Sequence, residues 1–145
     1  MTLRHAIALI CLSVCALSEI GLGLVYVTAA KPMPYHEEAL GRAWTELDPG
    51  SQAVLRTLLN GYGSTHLATG LALAILLWAL RRRAQPWARL AMLAVGLPVF
   101  GATAFLSHRL ASWTGAQVPW PGALALLVVF VLGVLLVKPA RRDHS

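Results

Sequence analysis

AIALICLSVCALSEIGLGLVYVTAA, residues 6–30, holds one formally charged side chain, Glu19, and no proline. As a helix rising 1.5 Å per residue it covers roughly 37 Å, more than the ~30 Å hydrocarbon core of a bilayer. A cleaved signal peptide is the rival reading, because Val27-Thr28-Ala29 passes as a small-residue cleavage site. Signal peptides have apolar regions of only about 7–15 residues, and an embedded glutamate is foreign to them. The stretch reads as an uncleaved transmembrane helix.

Three more apolar runs follow, so the expected spans are about 6–30, 61–80, 87–110 and 120–137. They leave room only for short loops. The chain is 57% hydrophobic and 12% charged, with a mean hydropathy of +0.65. Soluble domains carry roughly 25% charged residues. This composition excludes a soluble globular enzyme, a disordered chain and a disulfide-stapled secreted domain. The fold class expected is all-α integral membrane: four transmembrane helices and a short amphipathic helix at the membrane interface.

Lys31-Pro32-Met33-Pro34 ends the first helix, since each proline lacks an amide donor and restrains the residue before it. Over about 35–47, Leu40, Ala43, Trp44 and Leu47 recur at helical spacing, with Glu37, Glu38, Arg42 and Glu46 elsewhere. That pattern predicts the amphipathic outer helix, with Trp44 at headgroup depth. Asp48-Pro49 then starts a helix that is expected to continue into the second span as one continuous helix, bent at Gly61 and Gly63 near the interface. Pro98 is expected to kink the third span. The fourth is apolar throughout.

The basic residues orient the chain. Arg4, Arg81, Arg82, Arg83, Arg89, Lys138, Arg141 and Arg142 lie on one side, and Lys31, Arg42, Arg56 and Arg109 on the other. The positive-inside rule puts both termini in the cytoplasm. A net charge of +6 at pH 7 would raise nucleic acid as a partner of a soluble protein. Here the charges flank apolar runs, so the partner expected is the lipid bilayer, with no nucleic acid. Cys11 and Cys15 lie on one helix face in the cytoplasmic half, a poor place for a disulfide, and are expected to pack between helices.

Glu19 is the most informative residue. An acid ~12–15 Å deep must be neutral or have a partner. Its helical neighbours Cys15, Ala16, Gly23 and Tyr26 are mostly small, which suits close packing on another helix. His66 lies in the outer half of the second span beside Gly63, Thr69 and Gly70, and His108 near the outer end of the third. Glu19, His66, His108 and Tyr26 are the candidate proton or ligand site, with a protonated Glu19 coupled to His66 either directly through helix tilt or across one water. The alternative is structural glue between helices. His36, His66 and His108 are candidate metal ligands, without any diagnostic spacing. The interface expected joins the first three helices through Glu19, Gly23, Gly63, His66, Gly70, Gly101 and Ala104, leaving the fourth facing lipid or a second subunit.

No P-loop, GxSxG, Rossmann glycine set or CxxC occurs, so no enzyme and no cofactor is expected. Ser18-Glu19-Ile20-Gly21 in the first of four short helices resembles the small multidrug resistance transporters, which implies an acid exchanging protons for substrate. That likeness covers the first helix alone; the long outer loop, His66 and His108 depart from it. Met33-Pro34-Tyr35-His36 through Trp44 to Gly61-Tyr62-Gly63 is similar to small bacterial four-helix membrane proteins of unassigned function, implying a bacterial inner membrane. Two functions are expected from these readings. One is a non-enzymatic accessory or structural component stabilising a partner membrane protein. The other is a small proton-coupled transporter using Glu19, acting as a homo-oligomer.

Overall fold

The computed structural model describes residues 3–82 and 86–137, and within them every regular element is helical. The order is α1 (Leu3–Thr28), α2 (Pro34–Leu40), a 3-10 turn at Trp44–Glu46, α3 (Pro49–Arg82), α4 (Pro86–Thr114) and α5 (Trp120–Leu136). By length and composition α1, α3 and α4 can each cross a membrane, with best-window mean hydropathies of 2.2, 1.5 and 1.9. α5 is a shorter apolar helix of 17 residues. The basic residues Arg83, Lys138, Arg141 and Arg142 of the charge count lie outside the described residues.

α3 runs unbroken through Gly61 and Gly63, and α4 stays helical through Pro98. At 34 residues α3 is ~51 Å long, longer than the ~30 Å hydrocarbon core of a bilayer. Asp48 starts it. One carboxylate oxygen accepts the Ser51 amide at 3.0 Å and the other the Ser51 hydroxyl at 2.6 Å. These bonds, the hydroxyl's first, hold the Asp48 carboxyl below its usual range.

The segment expected as one amphipathic helix over 35–47 folds as two pieces. Gly41 has φ 64°, the left-handed conformation that ends α2, with its amide donating to the Glu38 carbonyl at 3.1 Å. A residue with a Cβ resists that conformation, so the glycine outweighs the apolar spacing around it. Polar tethers hold the pieces down. Glu37 accepts the Trp44 amide at 3.4 Å, Glu38 accepts the Gln117 amide at 2.9 Å, and Gln52 donates to the Trp44 carbonyl at 2.8 Å.

α1 packs on α3 and α5, and α4 packs on the same two helices. The α1–α3 contact is the closest. A Cβ at Gly23 would lie 2.5 Å from the Leu67 amide nitrogen and 2.8 Å from the Gly63 carbonyl oxygen; one at Gly70 would lie 2.7 Å from the Ile20 nitrogen. Only glycine lets these backbones touch.

Two packing expectations need correction. α5 does not stand at the periphery: Phe130 is fully buried, Val134 nearly so, and Gly133 faces α1, where a Cβ would meet Leu12 at 3.0 Å. Phe130 lies over Gly96 of α4 and stacks with Phe100, ring centroids 4.9 Å apart. A helix apolar on every side shows no preferred face in sequence; its inward face is chosen by where Gly96 leaves room for a ring. Leu124, Val128, Leu132 and Leu135 face outward. Gly101 is the second correction, because a Cβ there would have nothing within 4 Å, so no close helix approach depends on this glycine.

The two ends of the molecule differ in character. Where α1 begins and α5 ends, the interior is aliphatic and aromatic: Ala8, Leu12, Leu73, Leu76, Leu80, Met92, Phe100 and Phe130 are all buried. Arg4 closes this end by donating to the Leu135 and Leu136 carbonyls at 3.1 and 3.2 Å, supplying the last turn of α5 with the donors it lacks. At the loop end, where α2 and the α4–α5 connection meet, the interior holds tyrosine and histidine instead.

Candidate functional site

Helical periodicity places Cys15, Glu19, Gly23 and Tyr26 on one buried stripe of α1, and Gly63, His66, Thr69, Gly70 and Leu73 on one of α3. Because the glycines draw the two backbones together, the side chains between them meet without an intermediary. Glu19 Oε2 stands 2.6 Å from His66 Nδ1, and both side chains are almost wholly buried. No helix tilt beyond the observed packing and no bridging water is needed. A contact this short is a hydrogen bond, with one hydrogen between the nitrogen and the oxygen. Passing that hydrogen from one partner to the other leaves the net charge of the pair unchanged. A carboxyl buried among apolar helices is expensive to ionise alone, and a partner in hydrogen-bond contact offsets that cost.

Toward the loop end the pair continues into an aromatic cluster. The Tyr62 ring packs edge-on against His66, centroids 4.2 Å apart, with Thr103 of α4 beside its hydroxyl. Tyr26 meets Tyr62 at 5.0 Å and 75°. The Tyr26 hydroxyl hydrogen-bonds to that of Tyr35, and Tyr35 stacks on His36 at 4.1 Å. All three tyrosines of the chain are therefore in one cluster. Glu19–His66 and Tyr26–Tyr35 are two hydrogen-bonded pairs joined through the Tyr62 ring, which contacts both His66 and Tyr26. Beside them lies a cavity of about 280 Å³ walled by Tyr26, Tyr35, His36 and Tyr62 and by leucines of α3 and α4. In the other direction the two stripes continue into the packed core through Cys15, Leu12 and Leu73.

His36 belongs to the loop end by its own local chemistry. Its Nδ1 accepts the Met33 amide at 3.2 Å, capping the first turn of α2, and burial pushes its pKa below the ordinary 6.5. The sign follows directly. A histidine whose folded pKa is depressed stabilises the fold fully above the unfolded value and loses that contribution as pH falls through the folded one. Protonation also removes the acceptor that Met33 needs. Acidification is therefore expected to release the Met33 amide, seen as faster hydrogen exchange over residues 33–40, with the His36 ring proton titrating below 6.5 by NMR.

His108 is elsewhere. It is exposed, its ring perpendicular to Trp120 at 5.0 Å, while neighbouring Arg109 sits over the Trp113 ring at 4.0 Å. It joins neither the pair nor the tyrosines. Among the described residues no three His, Cys, Asp or Glu side chains group as metal ligands. The candidate set His36, His66 and His108 is not assembled, because the first two commit Nδ1 to Met33 and Glu19 and the third lies apart. Cys11 and Cys15 are free thiols, Cys15 buried and donating weakly to the Leu126 carbonyl at 3.8 Å.

Sequence reasoning missed Tyr35, Tyr62 and Thr103. A signal existed for Tyr62, four residues before His66 and so on its face. Nothing local marks Tyr35 or Thr103. Comparison with family models, curated proteins and solved structures finds no match to this chain.

Proposed function

We propose that the chain is a small multi-pass protein of a bacterial inner membrane in which the Glu19–His66 pair holds a transferable proton, and that it works as a small proton-coupled transporter. The observation that carries the reading is the direct, buried carboxyl–imidazole contact with the tyrosine cluster leading from it toward the loop end. A carboxyl and an imidazole in direct contact can each donate or accept, so the pair can take up a hydrogen from one side and give it up to the other. Tyrosine hydroxyls both donate and accept, which lets a proton pass along them with water filling the gaps.

In this reading α5 is the fourth span. At ~25 Å it is short, but Arg4 aligns its last turn with the first turn of α1, and Pro119-Trp120-Pro121 sits at its other edge. Both termini are cytoplasmic, α2 and the 3-10 turn rest at the outer surface, and the tyrosine cavity faces outward. A reporter fused after Ser145 is accordingly expected to be active only in the cytoplasm, and one inserted near Asp48 only outside it; a periplasmic C-terminus would overturn the four-span count.

The functional test is proton movement into vesicles reconstituted with purified protein, followed by an entrapped pH-sensitive dye under an imposed gradient. Glu19→Gln keeps a hydrogen-bonding amide but cannot release a proton. It is expected to cut the dye response to about a tenth or less while the protein assembles normally. Unchanged response in Glu19→Gln, together with a foreign membrane protein co-purifying in fixed proportion, would instead favour an accessory or structural role.

A further inference from the structure

The cavity at the loop end has a size and lining that define what it can hold. Its volume is about 280 Å³. An apolar cavity of roughly 150 Å³ takes up benzene, and drug-sized ligands need roughly 300–1,000 Å³. One aromatic ring with substituents, or two fused rings, fits between those limits.

The polar groups of the lining narrow the choice further. Tyr26 and Tyr35 share one hydrogen bond between two hydroxyls, which leaves one O–H and several lone pairs for a third group. His36 uses Nδ1 to accept the Met33 amide, so its neutral ring carries the proton on Nε2, a donor. Ser107 adds a hydroxyl from α4. Among the described residues, no lysine, arginine, aspartate or glutamate lines the wall. A formally charged guest would enter with no counter-ion, at a desolvation cost that the site does not offset.

We propose that this cavity is the substrate site of the transporter read above, and that its substrate is an uncharged one- or two-ring aromatic bearing a hydroxyl, the phenol class. A ring entering beside Tyr26 and Tyr62, themselves at 75° to one another, meets aromatic edges and faces in the perpendicular arrangement that rings prefer. Its hydroxyl, donor and acceptor at once, matches a wall that offers both. Tyr62 walls the cavity and also touches His66, so a guest and the proton on the buried pair are separated by one side chain. The assignment rests on the proton-coupled reading for its role, though the cavity's chemistry stands apart from it.

The test is a fluorine NMR titration of 4-fluorophenol into the full-length protein in detergent micelles, with protein-free micelles as the blank because phenols partition into detergent. A saturable shift beyond the blank is expected. Ser107→Phe and, separately, Leu110→Trp fill the cavity and should weaken the shift about tenfold or more. Both variants are checked for helicity and monodispersity, so that a misfolded one is replaced by the other. Fluorobenzene should bind more weakly than 4-fluorophenol, and tetramethylammonium should not displace the phenol. The proposal is overturned by a wild-type signal equal to the blank, by full binding in both folded filled variants, or by displacement with the cation. Binding retained while vesicles show no proton movement removes the transporter reading and leaves the site. Proton movement without binding removes the site alone.

Discussion

Gly63→Leu is expected to separate α1 from α3 and to abolish the buried pair without touching either of its members. A Cβ at Gly63 would stand 2.7 Å from the Tyr26 Cβ, 2.8 Å from the Val27 nitrogen and 2.9 Å from the Gly23 carbonyl oxygen. Two of the three are backbone atoms, which cannot swing aside as a side-chain tip can. Relief therefore requires the helices to move apart, and overpacking of this kind costs about 3 kcal/mol or more when the obstacle is backbone. The Glu19–His66 contact at 2.6 Å has no slack, so a shift of about an ångström breaks it. Thermal unfolding in detergent should show the loss of stability, and the vesicle assay should show Gly63→Leu behaving like Glu19→Gln. The control lies two residues away. Gly61 has open space where a Cβ would go, and Gly61→Ala should be neutral or stabilise α3 by up to about 1 kcal/mol. Equal behaviour of the two variants would refute the close-contact account of the α1–α3 seam.

Glu19→Leu should destabilise the protein where Glu19→Gln does not. Leucine removes the carboxyl that hydrogen-bonds His66 Nδ1 in a region almost free of solvent. In water-soluble proteins, breaking a buried charged pair from one side costs about 3–5 kcal/mol, but hydrogen bonds between membrane helices are worth about 1–2 kcal/mol, because the separated helices find other partners. The membrane value governs here, and we expect a loss of about 2 kcal/mol. Double replacement with His66→Phe should recover part of it, since no polar group is then stranded. Infrared difference spectroscopy reports the acid directly: the Glu19 carboxyl band should vanish in Glu19→Gln and shift in His66→Phe, which removes its hydrogen-bond partner. A double variant no more stable than Glu19→Leu would show that His66 finds another partner.

The loss of a single α2-to-Trp44 helix at Gly41 shows how local chemistry can override periodicity. The apolar spacing of Leu40, Ala43, Trp44 and Leu47 is genuine, yet Gly41 takes the left-handed conformation and the run breaks into a helix and a 3-10 turn. The glycine was visible in the sequence. Its conformation was not, because a glycine inside a polar helix and a glycine ending one read alike until the Glu37 and Glu38 carboxylates find Trp44 and Gln117.

Apolar runs, the flanking arginines and the prolines between them are enough to read an all-helical chain with membrane-length helices. Those properties act within one helix and need no knowledge of its neighbours. The same is true of the prominence of Glu19: one acid in a run of 25 apolar and small residues stands out by desolvation cost alone. What Glu19 touches belongs to a different scale. Its meeting with His66 depends on Gly23, Gly63 and Gly70 bringing two backbones into contact at one register, and a shift of one turn would have paired it with Tyr62 or Gly70 instead. The inward face of α5 depended likewise on Gly96 making room for Phe130, since an entirely apolar helix carries no periodic signal. The tyrosine cluster draws on α1, α2 and α3, three elements whose separate sequences say nothing of one another. Helix identity is set by neighbours three and four residues away along the chain; the site is set by atoms that are 47 residues apart and 2.6 Å from each other.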